Sequence, residues 1–248
     1  MSIASLKQPL EIHAVWRHHE RWHIGRQPLQ SLTAHTLDAL VPTLNQTEAL
    51  LQKWPNAVAC GVLAYDAGTA QAGIDSEHSC PLLHVHIFSA DEVSVVEQLS
   101  GLAPTPFALD TPFRSDIERT DYELALKKIH GYLLAGDCYQ INFSRRFSAA
   151  FNGNAIGAWQ RLVSAHAAPH SSFFRCPDGD HVFGVSTERF LHIHDRKILT
   201  EPIKGSRPRH ADAQIDQSLG EELKNSSKYR AENLMIVDLL RNDLGAIC

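Results

Sequence analysis

From Tyr139 to Ser148 the side chains alternate strictly, and no other stretch restricts the fold as much. Tyr139, Ile141, Phe143, Arg145 and Phe147 fall on one face of an extended strand; Gln140, Asn142, Ser144, Arg146 and Ser148 fall on the other. A period of two predicts a strand with one face toward a core. Such a strand must also find partners for its backbone amides and carbonyls. Val182–Val185 reads as another strand, and Leu191–Ile203 as two more with a turn near Asp195-Arg196. Upstream, Ala57–Tyr65 and Leu82–Phe88 are short apolar runs bounded by Pro, Gly and polar residues, which predicts buried strands.

Helical spacing appears in three places. Leu37 to Trp54 repeats with Leu37, Leu40, Leu44 and Leu51 as expected buried positions. Thr120 followed by Glu123 fits a capping box, opening a helix through Leu124, Ile129, Tyr132 and Leu133 that Gly136 should stop. In Tyr229–Gly245, Glu232, Met235, Ile236, Leu239 and Asp243 share one face. Leu234, Val237 and Leu240 cover much of the remainder, so burial on most sides is expected. Strands mixed with a few helices, without regular βαβ alternation, predict an α+β fold. The prolines of Ala103–Pro112 remove backbone donors and mark the clearest boundary, between an N-terminal region 1–112 and a second region 113–248.

Composition narrows the function classes. Hydrophobic content of 44% and charged content of 21% are ordinary for a globular protein. The net charge of -5, with both signs interspersed, leaves no electrostatic footprint for nucleic acid or an anionic membrane. No apolar run reaches the ~20 residues of a membrane helix. Met1–Lys7 lacks the apolar core of a secretory leader, which makes the cytoplasm the expected compartment. The five cysteines are odd in number and widely spaced, against a disulfide framework or zinc knuckle. Of the 15 histidines, His84/His86 and His192/His194 have strand spacing and are read as exposed strand faces rather than metal sites.

Several residues are candidates for chemistry. Lys204 follows Ile203, a potential apolar wall, and precedes Gly205, which permits close backbone approach. An amine beside apolar surface can be held partly neutral and nucleophilic. A helix-borne carboxylate such as Glu232 inside an apolar stripe is either a magnesium ligand or part of an ion pair, with Arg230 or Arg241 as the candidate partners. Glu188 and Gln140 are ambiguous from the residues alone: a loop carboxylate is more often merely exposed, and a strand amide often pairs with its neighbour.

Four segments together resemble the chorismate-utilising enzymes, in their aminodeoxychorismate synthase component I branch. They are Gly136-Asp137-Cys138-Tyr139-Gln140-Ile141-Asn142 through Phe147, Ser186-Thr187-Glu188-Arg189-Phe190, Pro202-Ile203-Lys204-Gly205-Ser206, and Arg230 to Gly245. They occur in the family's order and span about Phe113 to the end. The N-terminal Gly61–Asp66 element matches more weakly.

The resemblance implies packed antiparallel β-sheets with flanking helices around a chorismate site. It implies Lys204 as the nucleophile on the chorismate ring and Glu188 as the acid/base for the departing hydroxyl. Gln140, Gly205 and Ser206 would contact substrate, and Glu232 would ligate Mg²⁺. Ammonia would come from a glutamine amidotransferase subunit, with folate biosynthesis as the setting. Lysine at 204 and glutamine at 140 favour this branch over anthranilate synthases, which usually carry alanine at the former position, and over isochorismate synthases, which usually carry lysine at the latter. The rivals are an anthranilate synthase-like enzyme and a truncated, non-catalytic interaction module. The chain departs from the family at Thr187, at Ser206 and at Tyr229, which stands where an acidic residue near the metal is usual. The family also continues past the last motif, so the expectation is a fragment, inactive alone, with its last helix partly uncovered.

Overall fold

The computed structural model describes residues 11–73, 80–99, 102, 104–166 and 168–248. Met1–Lys7 and Ala103, used above for the leader and the boundary, lie outside them. Two compact units emerge, one from residues up to Gln98 together with those from His166 onward, the other from Leu99–Ala165.

The first unit opens with β1 (Ala14–His18), β2 (Arg21–Gly25), β3 (Gln30–Ala34), α1 (Leu37–Lys53), β4 (Val58–Leu63), α2 (Asp66–Gln71), β5 (Leu83–Phe88) and β6 (Val93–Val96). The second holds β7 (Phe107–Leu109), β8 (Arg114–Ser115), α3 (Arg119–Ala135), β9 (Phe147–Ser148), β10 (Phe151–Gly153) and α4 (Ala155–Ala165). The chain then returns to the first unit with β11 (Ser172–Arg175), β12 (His181–Gly184), β13 (Arg189–His194), β14 (Lys197–Glu201), α5 (Ala213–Asn225) and α6 (Ser227–Gly245).

Two antiparallel sheets organise the first unit: a five-stranded one ordered β12-β11-β1-β2-β6 and a three-stranded one ordered β3-β5-β4. Every residue of β5 is buried. Leu83, Val85 and Ile87 alternate onto the face that packs Leu40, Leu50 and Leu51 of α1. Phe88, on the other face, meets Ala14 and Phe174 of the five-stranded sheet. A strand covered on both faces reads as a continuous apolar run, which is why the pattern of Leu82–Phe88 predicted burial correctly. The α+β expectation and its packed antiparallel sheets are thus borne out.

His84 and His86 correct the expectation of exposed strand faces, because they sit in the core at 2% and 4% exposure. Each imidazole lies directly opposite a hydroxyl on β3: Thr33 Oγ1 is 2.7 Å from His84 Nδ1, and Ser31 Oγ is 2.7 Å from His86 Nδ1. His86 Nε2 donates to the Arg175 carbonyl at 2.8 Å, so Nδ1 accepts from Ser31 and the ring is neutral. Desolvation pushes the His86 pKa down to about 4, and the nearby His84 and His13 rings add to it. Hydroxyl and carbonyl partners make burial of His86 tolerable, whereas His84 keeps an enclosed Nε2 without a partner among the described residues; sequence spacing carries no sign of either. His194 is exposed and His192 half-buried, on the hairpin β13–β14.

Helix boundaries held better than helix faces. The first expected helix forms as α1, but it turns Ala39, Leu40, Leu50 and Leu51 toward the sheet and leaves Leu37 and Leu44 exposed. α3 has Glu118 rather than Thr120 as its N-cap, with no side-chain capping bond, so the Thr120/Glu123 box does not form. Its end is as expected: Gly136 adopts φ 80°, its N–H reaches Leu133, and Asp137 N–H reaches Tyr132.

The largest correction concerns Tyr139–Ser148, where only Phe147 and Ser148 are strand, paired with β8. Residues 139–146 are irregular and almost wholly exposed. Phe143 stacks on Tyr122 at 5.4 Å, Arg145 lies over Tyr122 and Phe147, and at the end of the segment the Asp116 amide donates to the Arg146 carbonyl at 3.0 Å. Alternation supplies a face but not a partner, and no strand among the described residues pairs with 139–146. β4, expected to be buried, is an edge strand of mixed exposure. The expected turn at Asp195-Arg196 is present, with φ 48° and 61°. Among the described residues no helix is long and apolar enough to cross a membrane.

Candidate active site

β14 ends at Glu201, and the chain then runs irregularly until α5 begins at Ala213. This loop carries Lys204, Gly205 and Ser206, and the two following helices hold it in place. Asn233 Nδ2 of α6 donates to the Pro202 carbonyl at 3.2 Å. Arg207 pairs with Glu222 of α5 and donates from Nη1 to the Tyr229 hydroxyl at 3.3 Å. Arg209 grips Asp216 through two nitrogens, at 2.8 and 2.7 Å, and that contact holds the Asp216 carboxyl below its ordinary range. The helices themselves are well started. Asp212 caps α5 by accepting from the Gln214 and Ile215 amides, and Ser226 caps α6 by accepting from Tyr229 N.

Gly205 sits at φ 80°, where a β-carbon would also stand 2.9 Å from the Tyr229 ring. In the direction of that β-carbon, Gly205 meets this chain's own aromatic side chain. Tyr229, one turn before Glu232, packs its ring on Gly205 and under Arg207, whose guanidinium lies 5.4 Å from its centroid.

The half-buried Lys204 opens on a cleft of about 750 Å³. Leu223, Leu234 and Val237 form its apolar wall, and Lys224 and Arg230 bring further positive charge. The expected wall residue, Ile203, is instead 49% exposed. Among the described residues, the Lys204 amine has no hydrogen bond or ion pair. An unpaired amine in a cationic, partly apolar cleft can meet an anionic substrate and act as a nucleophile.

Neither Glu232 nor Glu188 is among the residues that line this cleft. Glu232 is half-buried on α6. It makes no ion pair among the described residues; Arg241 pairs with Asp238 at 2.6 Å instead. No group of three or more His, Cys, Asp or Glu among the described residues is arranged to hold a metal. Magnesium is commonly held by one or two carboxylates together with waters and substrate oxygens, so Glu232 would be one ligand of such an ion. Glu188 is exposed on the loop between β12 and β13, within a turn closed by Ser186 Oγ. Gln140 belongs to the second unit, where its Nε2 reaches Asn142 at 3.5 Å and its enclosed Oε1 has no partner among the described residues.

α6 is a full helix as expected, but none of its residues is buried, and Leu234, Val237 and Leu239 are 68%, 41% and 40% exposed. Burial on most sides is thus corrected, while the expectation of a partly uncovered last helix agrees with the structure. Sequence reasoning missed Leu223, Asn233, Arg207 and Arg209 as parts of the site. Only the arginines left a signal, as two cations in a loop followed by the acidic face of α5.

The family model described as chorismate binding enzyme matches residues 12–248. The chain belongs to the chorismate binding enzyme family. Aminodeoxychorismate synthase component 1 of Salmonella typhimurium is 44% identical over 143 residues, covering 58% of this chain and 31% of that protein. Anthranilate synthase component 1 of Pseudomonas putida is 39% identical over 142 residues, covering 57% of this chain and 29% of that protein. Among solved structures, anthranilate synthase component I from Streptococcus pneumoniae superposes with a TM-score of 0.65 at 19% identity, covering 99% of this chain and 64% of that one. A Bacillus anthracis protein described as a 2,3-dihydroxybenzoate-specific isochorismate synthase gives 0.67 at 20%, covering 98% and 62%. At these identities the structural likeness shows the fold of chorismate-utilising enzymes. The matches span about a third of each curated relative.

Proposed function

We propose that this chain carries the nucleophile of an aminodeoxychorismate synthase component 1, whose reaction converts chorismate and ammonia to 4-amino-4-deoxychorismate for p-aminobenzoate and folate synthesis. The observation that carries the reading is the unpaired Lys204 amine opening on a cleft with Lys224 and Arg230. Chorismate bears two carboxylates, and cations in its binding cleft raise its local concentration and its affinity.

In the proposed reaction the neutral Lys204 amine bonds to C2 of the ring, the double bonds shift, and the C4 hydroxyl leaves as water with a proton from Glu188. Ammonia then bonds to C4, the lysine departs from C2 as the free amine, and the new C4 ammonium returns a proton to Glu188. One difficult substitution becomes two easier displacements. Gln140, Gly205 and Ser206 are the proposed substrate contacts, and a glutamine amidotransferase subunit is the proposed ammonia source. Mg²⁺ with Glu232 as one ligand belongs to the same reading, where it would supply charge compensation for the substrate's carboxylate. Identity of 44% to a relative named aminodeoxychorismate synthase component 1, against 39% to one named anthranilate synthase component 1, supports the same choice.

The matched stretch is 31% of the Salmonella relative, so the proposal places turnover in a protein of the relatives' length rather than in the 248 residues alone. Product analysis tests both parts. An extended protein given chorismate, ammonium and Mg²⁺ should yield 4-amino-4-deoxychorismate. Anthranilate as the main product would overturn the reaction assignment. Turnover by the 248-residue chain above a Lys204→Ala control would overturn the requirement for added length.

A further inference from the structure

We propose that Tyr229 is a positioning residue for the Lys204 amine, acting through the Gly205 turn; the inference rests on the reading of Lys204 as nucleophile. Lys204 lies between two points at which α6 holds its loop. On one side Asn233 donates to the Pro202 carbonyl at 3.2 Å. On the other the Tyr229 ring packs so closely on Gly205 that a β-carbon there would lie 2.9 Å from Cγ and 3.0 Å from Cδ1. Gly205 has φ 80°, a conformation that glycine adopts freely and that gains nothing from the loop itself. The ring selects it by filling the space that another backbone path would cross.

Arg207 closes the arrangement from beyond the turn. Its guanidinium lies over the Tyr229 ring at 5.4 Å, donates to the hydroxyl at 3.3 Å and pairs with Glu222 of α5. The Lys204 side chain has no partner of its own among the described residues, so the backbone to either side sets its direction. Tyr229 and Asn233, one turn apart on α6, set that backbone. The ring acts by packing on Gly205, and the hydroxyl only adds the bond to Arg207. Phenylalanine can therefore replace tyrosine here, whereas alanine leaves the Gly205 turn unsupported.

The test reads the amine directly and needs no chorismate. The full chain is treated with limiting acetic anhydride, and Lys204 acetylation is measured by mass spectrometry relative to Lys197 of the β13–β14 hairpin and Lys128 of α3. Tyr229→Ala should raise the Lys204 ratio on the order of 5- to 30-fold, because a half-buried amine reacts fastest when its loop opens. Tyr229→Phe should stay within about 2-fold of the unmutated chain, since the ring is retained. An unchanged ratio in Tyr229→Ala overturns the proposal. So does an equal rise at Lys197 and Lys128, which marks general loosening, or a Tyr229→Phe chain that behaves like Tyr229→Ala. The expected labelling pattern together with an extended protein that makes no 4-amino-4-deoxychorismate would instead retain the positioning role and reject the catalytic reading.

Discussion

Lowering the pH should weaken the first unit through His86, and the size of the effect follows from its burial. Desolvation holds the folded-state pKa at about 4 against an ordinary value of 6.5. Between those values the unfolded chain binds a proton that the folded chain refuses, so stability falls as pH drops from about 6.5 toward about 4 and then levels off. Linkage gives a loss of about 1.3 kcal/mol between pH 7.5 and 5.5 from this ring alone. His84 and His181 are also shifted down, mainly by burial, and add loss of the same sign. The assay is urea unfolding followed by circular dichroism at both pH values, for the unmutated chain and for His86→Gln. The glutamine amide retains a donor for the Arg175 carbonyl and an acceptor for Ser31, without a titrating group. The variant should lose about 1.3 kcal/mol less over that interval. Equal losses in the two proteins would refute the reasoning, because they would show that His86 does not titrate differently on folding.

Other consequences are local. Asp212→Ala removes the acceptor for the Gln214 and Ile215 amides and should destabilise the chain by about 1 kcal/mol in the same unfolding assay. Gly205→Ala forces a side chain into the left-handed region against the Tyr229 ring and should cost about 1–3 kcal/mol, again read by urea unfolding. Leu234→Gln, on the exposed side of α6, should leave the melting temperature unchanged to within about 0.5 kcal/mol equivalent, and a larger loss would show that this face is packed.

How much was legible depended on whether a residue's partner lay nearby in sequence. The β13–β14 hairpin, with its turn at Asp195-Arg196, and the stop of α3 at Gly136 are local events, and both read correctly. The 139–148 pattern read as a strand because alternation is local, whereas its pairing is not. His84 and His86 were misassigned for the same reason: the hydroxyls that pair with them lie more than fifty positions upstream. In the site, motif spacing picked out Lys204 and α6. It did not reveal that the Tyr229 ring packs on Gly205, because that depends on how α6 docks against the loop.

The central claim is that Lys204 bonds to the chorismate ring, and the most direct measurement is the mass of the Lys204-containing peptide from a protein of the relatives' length, quenched during turnover. The account predicts an adduct on that peptide only when chorismate is present. It also predicts a loss of product formation on the order of 10³-fold or more in Lys204→Ala, as expected when a covalent nucleophile is removed. Undiminished formation of 4-amino-4-deoxychorismate by Lys204→Ala, with no adduct on the unmutated peptide, would contradict it.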